Sequence, residues 1–214
     1  MVHPFWPLFD LAVRTPRLTL RYPDDDAMVE LAALVRSGVH DPEEMPFPVP
    51  WTDVPSPERE WNSYRYWWRL RAETTAEQWD IELAAIVDGD VVGVQGLTAE
   101  QFPRRRTFMT SSWLGRRFQG RGIGKEMRAA ILHLGFAGFG AELATTGAWS
   151  DNASSLAVTR HLGYEANGAD RRLKRDAPAD LLRFRMTRSH WESIRRDDIE
   201  LVCLEACLPL LGLA

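Results

Sequence analysis

The stretch RRFQGRGIGKEM, Arg116 to Met127, sets three glycines among five residues, surrounds them with arginines and runs straight into an apolar helical pattern. Ahead of it, RTFMTSSWLG has the composition of a strand that ends at Leu114. After it, Ile123, Met127, Ala130, Ile131 and Leu134 recur at helical spacing to about Phe139. A strand, a bare turn and a helix in that order leave several backbone N–H groups at the helix start without a partner in the helix. Glycine lets a ligand approach that backbone, and the orphan donors together with the helix dipole favour an anion. Phosphate is the natural guest, with Arg116, Arg117, Arg121 and Lys125 as cationic partners.

Spacing decides among the phosphate-binding turns. A Walker A loop needs Ser or Thr after the Gly-Lys pair and a glycine five residues before it; here Glu126 and Gln119 occupy those places. A Rossmann GxGxxG counted from Gly120 puts Lys125 where its last glycine belongs, and the stretch lies mid-chain rather than after a first strand. The pattern that fits is Q-x-x-G-x-G, made by Gln119, Gly122 and Gly124.

The rest of the chain supplies a mixed sheet. LAVRTPRLTLRY alternates like a strand interrupted at Pro16, and DDDAMVELAALVRSG reads as a helix from about Asp25 to Gly38. Prolines at 42, 46, 48, 50, 55 and 57 make the next segment a stiff loop. EREWNSYRYWWRLRAE is helical, with Trp61, Tyr64 and Trp68 on one face and Trp67 beside it. IELAAIVDG and VVGVQGLT form a hairpin about Asp88-Gly89-Asp90, and ELATTGAW is a further strand. A short helix from Asn152 to Leu162 and strands near Tyr164–Leu173 and Leu181–Met186 follow. Strands and helices mix without strict βαβ alternation, which predicts an α/β protein with a three-layer mixed sheet.

Composition bounds the function. The 214 residues, 45% hydrophobic and 26% charged, have the balance of a soluble globular chain with one substantial core. A net charge of −4 argues against holding nucleic acid by overall positive charge, so an anion must meet a local site. The basic run RRLKR, Arg171 to Arg175, reads as a solvated strand face. MVHPFWPLFDLAVR lacks the pattern of a signal peptide, and the tail LVCLEACLPLLGLA, broken by Glu205 and Pro209, is too short to cross a bilayer. A cytoplasmic location without membrane contact is the expectation. Cys203 and Cys207, with no CxxC motif or histidine cluster, are read as free thiols rather than metal ligands.

These segments, from TPRLTLR through SWLGRRFQGRGIGKEMRAA to DNASSLAVTRHLGY and FRMTRSHW, together resemble the GNAT superfamily of acyl-CoA-dependent N-acyltransferases, and its RimJ/RimL-like branch in particular. With WPLFDL, GVHDPEEMPFPVPW and the long tail, the pattern resembles mycobacterial members that use succinyl-CoA. The resemblance implies a mostly antiparallel GNAT-type sheet flanked by helices, one domain over 1–214 with a tail from about 189, and acetyl-CoA or succinyl-CoA as co-substrate with no metal. By position, it implies that the backbone of Ser112, Trp113 and Leu114 pairs with the pantetheine arm. It gives the pyrophosphate to the amides of Gln119, Gly120, Arg121, Gly122, Ile123, Gly124 and Lys125. Asn152 would bond the pantetheine and Arg160 would lie near the adenosine phosphate; alternatively, Asp151 and Asn152 simply cap a helix.

Acyl transfer needs a free amine, a polarised thioester and support for the departing thiolate. The tyrosine that many relatives carry as acid corresponds to Thr159 here, and the RimL-like alternative falls on Ser155 as proton donor or thiolate stabiliser. Where relatives place a glutamate on the strand before SWLG, this chain has Met109 or a neighbour, so no base is assigned; His40, Asp41, Glu82 and Glu100 are the groups to locate. Trp51, Trp61, Trp67, Trp68 and Trp79 cluster where the resemblance implies the acceptor side; most read as core packing, with an aromatic pocket or lid as the alternative. The acceptor is a protein N-terminus, a lysine or a small-molecule amine, and the apolar tail after Ile199 suits packing against a second copy. The competing reading is an acyl-CoA-binding sensor with weak turnover.

Overall fold

The computed structural model describes residues 3–213. Pro16 has no N–H to give a ladder, and the chain turns back there, pairing β1 (Ala12–Arg14) antiparallel with β2 (Thr19–Arg21). Helix α1 (Asp25–Ser37) starts where Asp24 Oδ1 accepts the Ala27 N–H at 2.8 Å and stops at Gly38, whose φ of 103° suits glycine. The proline loop that follows contains a single 3₁₀ turn, Trp51–Asp53.

Helix α2 (Glu58–Glu73) presents a different face from the one its tryptophans suggest. It buries Ser63, Trp67 and Leu70, and leaves Trp61 and Trp68 57% and 53% exposed. Small Ser63 lets the helix lie close over the sheet, while Tyr64 and Trp68 pack on each other outside at 5.5 Å. Trp79 does not join this group. It sits in the main core against Phe102 and Phe139 at 5.3 and 5.4 Å.

Strands β3 (Gln78–Val87) and β4 (Asp90–Glu100) form the expected hairpin, with Asp88 and Gly89 at φ 52° and 89°. Then come α3 (Phe102–Arg105), β5 (Thr107–Leu114), α4 (Ile123–His133) with a π-helical extension over Leu134–Gly138, and β6 (Leu143–Trp149). Helix α5 (Ala153–His161), the long hairpin β7 (Glu165–Lys174) and β8 (Ala177–Thr187), α6 (Arg188–Ile194) and β9 (Glu200–Val202) complete the chain. The nine strands make one sheet in the order β7-β8-β6-β5-β4-β3-β2-β1-β9. Every neighbouring pair is antiparallel except β5 and β6.

Because strand residues alternate between faces, the sheet supports two cores. On one side Leu83, Leu97, Phe108 and Ala144 lie under Met127, Ile131 and Leu134. On the other, Ala84 and Val94 meet Met28, Leu31 and Trp67. Helices therefore cover both faces, giving the three-layer α/β architecture.

The tail, which the sequence suits to packing against a second copy, contributes to this chain's own core. β9 pairs with β1, and Cys207 and Leu211 are fully buried. Burial pushes the Cys207 thiol up to about 12, and both cysteines are free. Arg196 grips Glu126 of α4 with two bonds, at 2.8 and 3.0 Å. Burial alone would raise the Glu126 carboxyl, but the Arg196 guanidinium holds it below the usual range.

A Cβ at Gly135 would stand 2.3 Å from Phe108 Cζ, on a ring that also packs against Phe136 at 5.4 Å. Gly135→Ala is therefore expected to lower stability by about 1–3 kcal/mol, as overpacked cores do. Urea unfolding of the two proteins would measure it.

Candidate functional site

The site is built where β5 and β6 part. They pair only across Thr107–Met109 and Leu143–Thr145; beyond that β5 stays with β4 and β6 with β8. Side chains hold the angle of the fork. Thr146 Oγ1 donates to Thr110 O at 3.1 Å, and Arg128 of α4 reaches both arms, Thr146 Oγ1 at 3.1 Å and Ser112 Oγ at 3.2 Å. Arg128 is 4% exposed and, among the described residues, meets no carboxylate. Along Ser112, Trp113 and Leu114, β5 pairs with Gln95, Val94 and Gly93 on one edge and has no β6 partner on the other. The Leu114 carbonyl does accept the Gln119 side chain, at 3.0 Å.

The glycine turn follows at the mouth of the fork. Gln119 N–H donates to Arg116 O, and Lys125 N–H donates to Gly122 O. These two amides, which the sequence suggested for an anion, are thus engaged inside the turn. Among the described residues no carbonyl or side chain accepts from the N–H groups of Gly120, Arg121, Gly122, Ile123 and Gly124. Gly120 and Gly122 have φ of 75° and 78°, a region that side chains disfavour, and Gly122 is the N-cap of α4. The open donors lie at the start of α4, a fit for a bound diphosphate.

The surrounding arginines divide their roles. Arg116 is paired with Asp41 at 2.8 Å, and Arg117 and Arg121 lie over the Phe118 ring. Arg17, which sequence reading passed over, comes from the Pro16 turn instead. Its Nη2 donates to Arg121 O at 2.9 Å, and its Nη1 lies 3.4 Å from where a Gly122 Cβ would stand. Lys125 and Arg160 are exposed.

On α5, Asn152 Oδ1 accepts the Ser155 N–H at 3.0 Å, so Asn152 is the helix cap while its NH₂ points elsewhere. Asp151 pairs with Lys174 at 2.6 Å. Ser155 is half-buried on the first turn of this helix. Thr159 is 1% exposed, with its hydroxyl unpartnered inside the protein.

The proline loop spans both arms of the fork. Trp149 Nε1 on β6 donates to Phe47 O at 3.1 Å; Phe47 packs on Trp51, and Trp51 on Trp113 of β5. Gln119 Nε2 donates to Val39 O at 2.8 Å. Across the opening, Arg175 at the tip of the β7–β8 hairpin bonds both Asp53 oxygens, at 2.8 and 2.9 Å, and Pro42 O at 3.0 Å. Its guanidinium holds the Asp53 carboxyl below the ordinary carboxylate range. The basic run thus ends in a clasp. Of the clustered tryptophans, Trp51 lines this lid, while Trp61, Trp67, Trp68 and Trp79 lie elsewhere.

The four groups left open as bases separate clearly. Glu100 is exposed at the far end of β4 and paired with Arg105. Asp41 is committed to Arg116. His40 Nδ1 lies 2.7 Å from Asp41 O, so it carries the proton, and Nε2 accepts from the Thr52 hydroxyl at 2.7 Å. Glu82 lies under α2 with Tyr66 Oη donating to it at 3.3 Å. Among the described residues no group of three or more His, Cys, Asp or Glu side chains is arranged to hold a metal ion. No described helix is long and apolar enough to cross a membrane.

Comparison with known proteins bears on this site. The family described as acetyltransferase (GNAT) domain matches residues 17–165. RimJ of Mycobacterium smegmatis, solved with a CoA disulfide, is 21% identical, with a TM-score of 0.70 over 94% of this chain and 93% of that one. RimL, a ribosomal L7/L12 alpha-N-protein acetyltransferase solved with coenzyme A, is 17% identical, with a TM-score of 0.65 over 81% of this chain and 95% of its own. The microcin C7 self-immunity acetyltransferase MccE, solved with acetyl-CoA and AMP, is 16% identical, with a TM-score of 0.61 over 80% and 93%. At these identities the structures show a shared fold.

If Arg175 clasps the loop, Arg175→Ala should raise amide hydrogen exchange across residues 39–53. Exchange in α4 should stay as in the unaltered protein.

Proposed function

Since the chain belongs to the GNAT acetyltransferase family, we propose that it is an N-acyltransferase that moves an acetyl or succinyl group from a coenzyme A thioester to a primary amine. The amine attacks directly in a ternary complex, without a covalent enzyme intermediate. The whole of 1–214 is read as one such domain, its tail included. The observation that carries this reading is the run of unpartnered amides from Gly120 to Gly124 at the mouth of the fork. A diphosphate held there directs an extended arm along the open edge of Ser112–Leu114, as an added strand would run.

Holding both reactants in line supplies much of the acceleration, because a bimolecular encounter becomes effectively unimolecular. The chain's own groups then handle charge. Ser155, in the first turn of α5, is read as the group that donates its hydroxyl hydrogen bond to a leaving sulfur. A thiol with an ordinary pKa of about 8.5 is a tolerable anion, so a hydrogen bond suffices and full proton transfer from serine is unnecessary. The NH₂ of Asn152 offers a second donor to the same arm, its oxygen being occupied by the cap. Arg128, a buried guanidinium bonded among the described residues only to hydroxyls at the fork, is the feature that supports reading a succinyl carboxylate beside acetyl.

The test is thiol release from acetyl-CoA and succinyl-CoA across a panel of amines. Turnover with at least one amine supports the transferase, whereas tight binding without turnover on all of them supports the sensor. Gly122→Glu should weaken coenzyme A binding at least ~10-fold by calorimetry, since it adds like charge and forces a side chain into left-handed backbone. A hydrogen bond to a charged group is worth about 1.5–3 kcal/mol, so Ser155→Ala should lower kcat roughly 10- to 100-fold with little change in KM.

A further inference from the structure

Glu82, Gly96 and Ser111 lie in one row across β3, β4 and β5. Ser111 is two residues past Met109, the last β5 residue paired with β6, so it stands where the fork opens. Alternation puts Ser111 on the same face as Met109 and Trp113, beneath the proline loop, whereas Ser112 turns the other way towards Arg128. Ser111 is exposed. A Cβ on residue 96 would stand 2.3 Å from Ser111 Oγ and 3.3 Å from Glu82 Oε1. Glycine at that point lets the Ser111 hydroxyl lie over the β4 backbone on the side of the Glu82 carboxyl.

That carboxyl has no cation. Tyr66 Oη and the Trp67 side chain hydrogen-bond to it, Asp80 lies two residues away on the same strand face within the influence of Arg69, and Arg71 and Tyr22 line the adjoining cleft. None of these arginines forms an ion pair with Glu82 or Asp80 among the described residues. Glu126, by contrast, is clamped by Arg196. A half-buried carboxyl with hydrogen-bond donors but no cation is costly to ionise, which sets Glu82 apart from Glu126. Burial, reinforced by Asp80, pushes the Glu82 carboxyl up to about 8. A general base works best with a pKa near the working pH.

We propose that Glu82 is the proton acceptor that frees the attacking amine, reached through the Ser111 hydroxyl and one bridging water. This rests on the acyl-transfer reading above. The acceptor arrives as an ammonium ion. One N–H bond breaks, its proton passes to Ser111 Oγ, and the Ser111 proton moves through the water to Glu82. The freed lone pair forms the C–N bond at the thioester carbonyl, the C–S bond breaks, and sulfur leaves as a thiolate. The new nitrogen sheds one further proton, the thiolate gains one, and Glu82 returns its own to solvent.

The experiment compares wild type, Glu82→Gln and Ser111→Ala across pH at saturating acyl-CoA. Glu82→Gln should lower kcat roughly 10²- to 10⁴-fold near pH 8 and abolish the limb that rises through that region, with acyl-CoA KM unchanged. Ser111→Ala should lower kcat in the same direction. Because the folded-state carboxyl is raised, its neutral form is favoured below that value and stability is lost as pH rises through it. Glu82→Gln should therefore melt higher than wild type at pH 9 and no differently at pH 4, which guards against reading misfolding as lost activity. A Glu82→Gln enzyme with kcat within threefold of wild type and the same pH limb overturns the base alone. A wild type that binds coenzyme A yet releases no thiol with any amine overturns acyl transfer, and the base with it.

Discussion

A parallel contact only three residues long, Thr107–Met109 against Leu143–Thr145, joins the two halves of the sheet. The site depends on its brevity. Were β5 and β6 paired to their ends, their backbone groups would satisfy one another and no open edge would remain. A strand that has lost its neighbour is a ready template for any extended chain. Thr146 ties the arms through Thr110 near the root of the fork, and Arg128 spans from Thr146 to Ser112 on the open edge.

Around that opening the chain assigns charge economically. Arg116 joins the glycine turn to the proline loop, Arg175 joins the loop to the hairpin, and Arg17 braces the turn from the far side. Each is a cation used first to fix backbone geometry. Beside the exposed cations Arg117, Arg121 and Lys125, the donors left for a ligand are amides, whose positions the fold determines more tightly than long side chains could. Fixed donors suit a reaction in which alignment matters more than raw attraction.

Much of this was legible in the residues. Asp24 and Gly38 bound α1 because a cap and a left-handed stop leave clear marks, and the hairpin at Asp88-Gly89 did the same. The bare glycine turn was readable because glycine spacing reports directly on backbone shape. What stayed hidden depended on distant partners. Trp61 and Trp68 look like a buried stripe, but Ser63 and Trp67 decide which face meets the sheet. Arg17 gave only a weak signal beside Pro16, since its target lies 104 residues away. Neither the brief β5–β6 contact nor the row from Glu82 to Ser111 exists until strand register is set. The tail misled for a plain reason. Apolar residues beyond a recognisable domain resemble an exposed surface until a strand such as β9 is seen to return.

That returning strand ties the C-terminal end to the ligand turn by a short mechanical route. β9 leans on β1, the turn after β1 carries Arg17 to the glycines, and Arg196 anchors the start of α4. Dissection of the chain by truncation would thus slacken the glycine turn from a distance. A shortened form that lost its affinity would be reporting on a cut brace and not on a missing ligand contact.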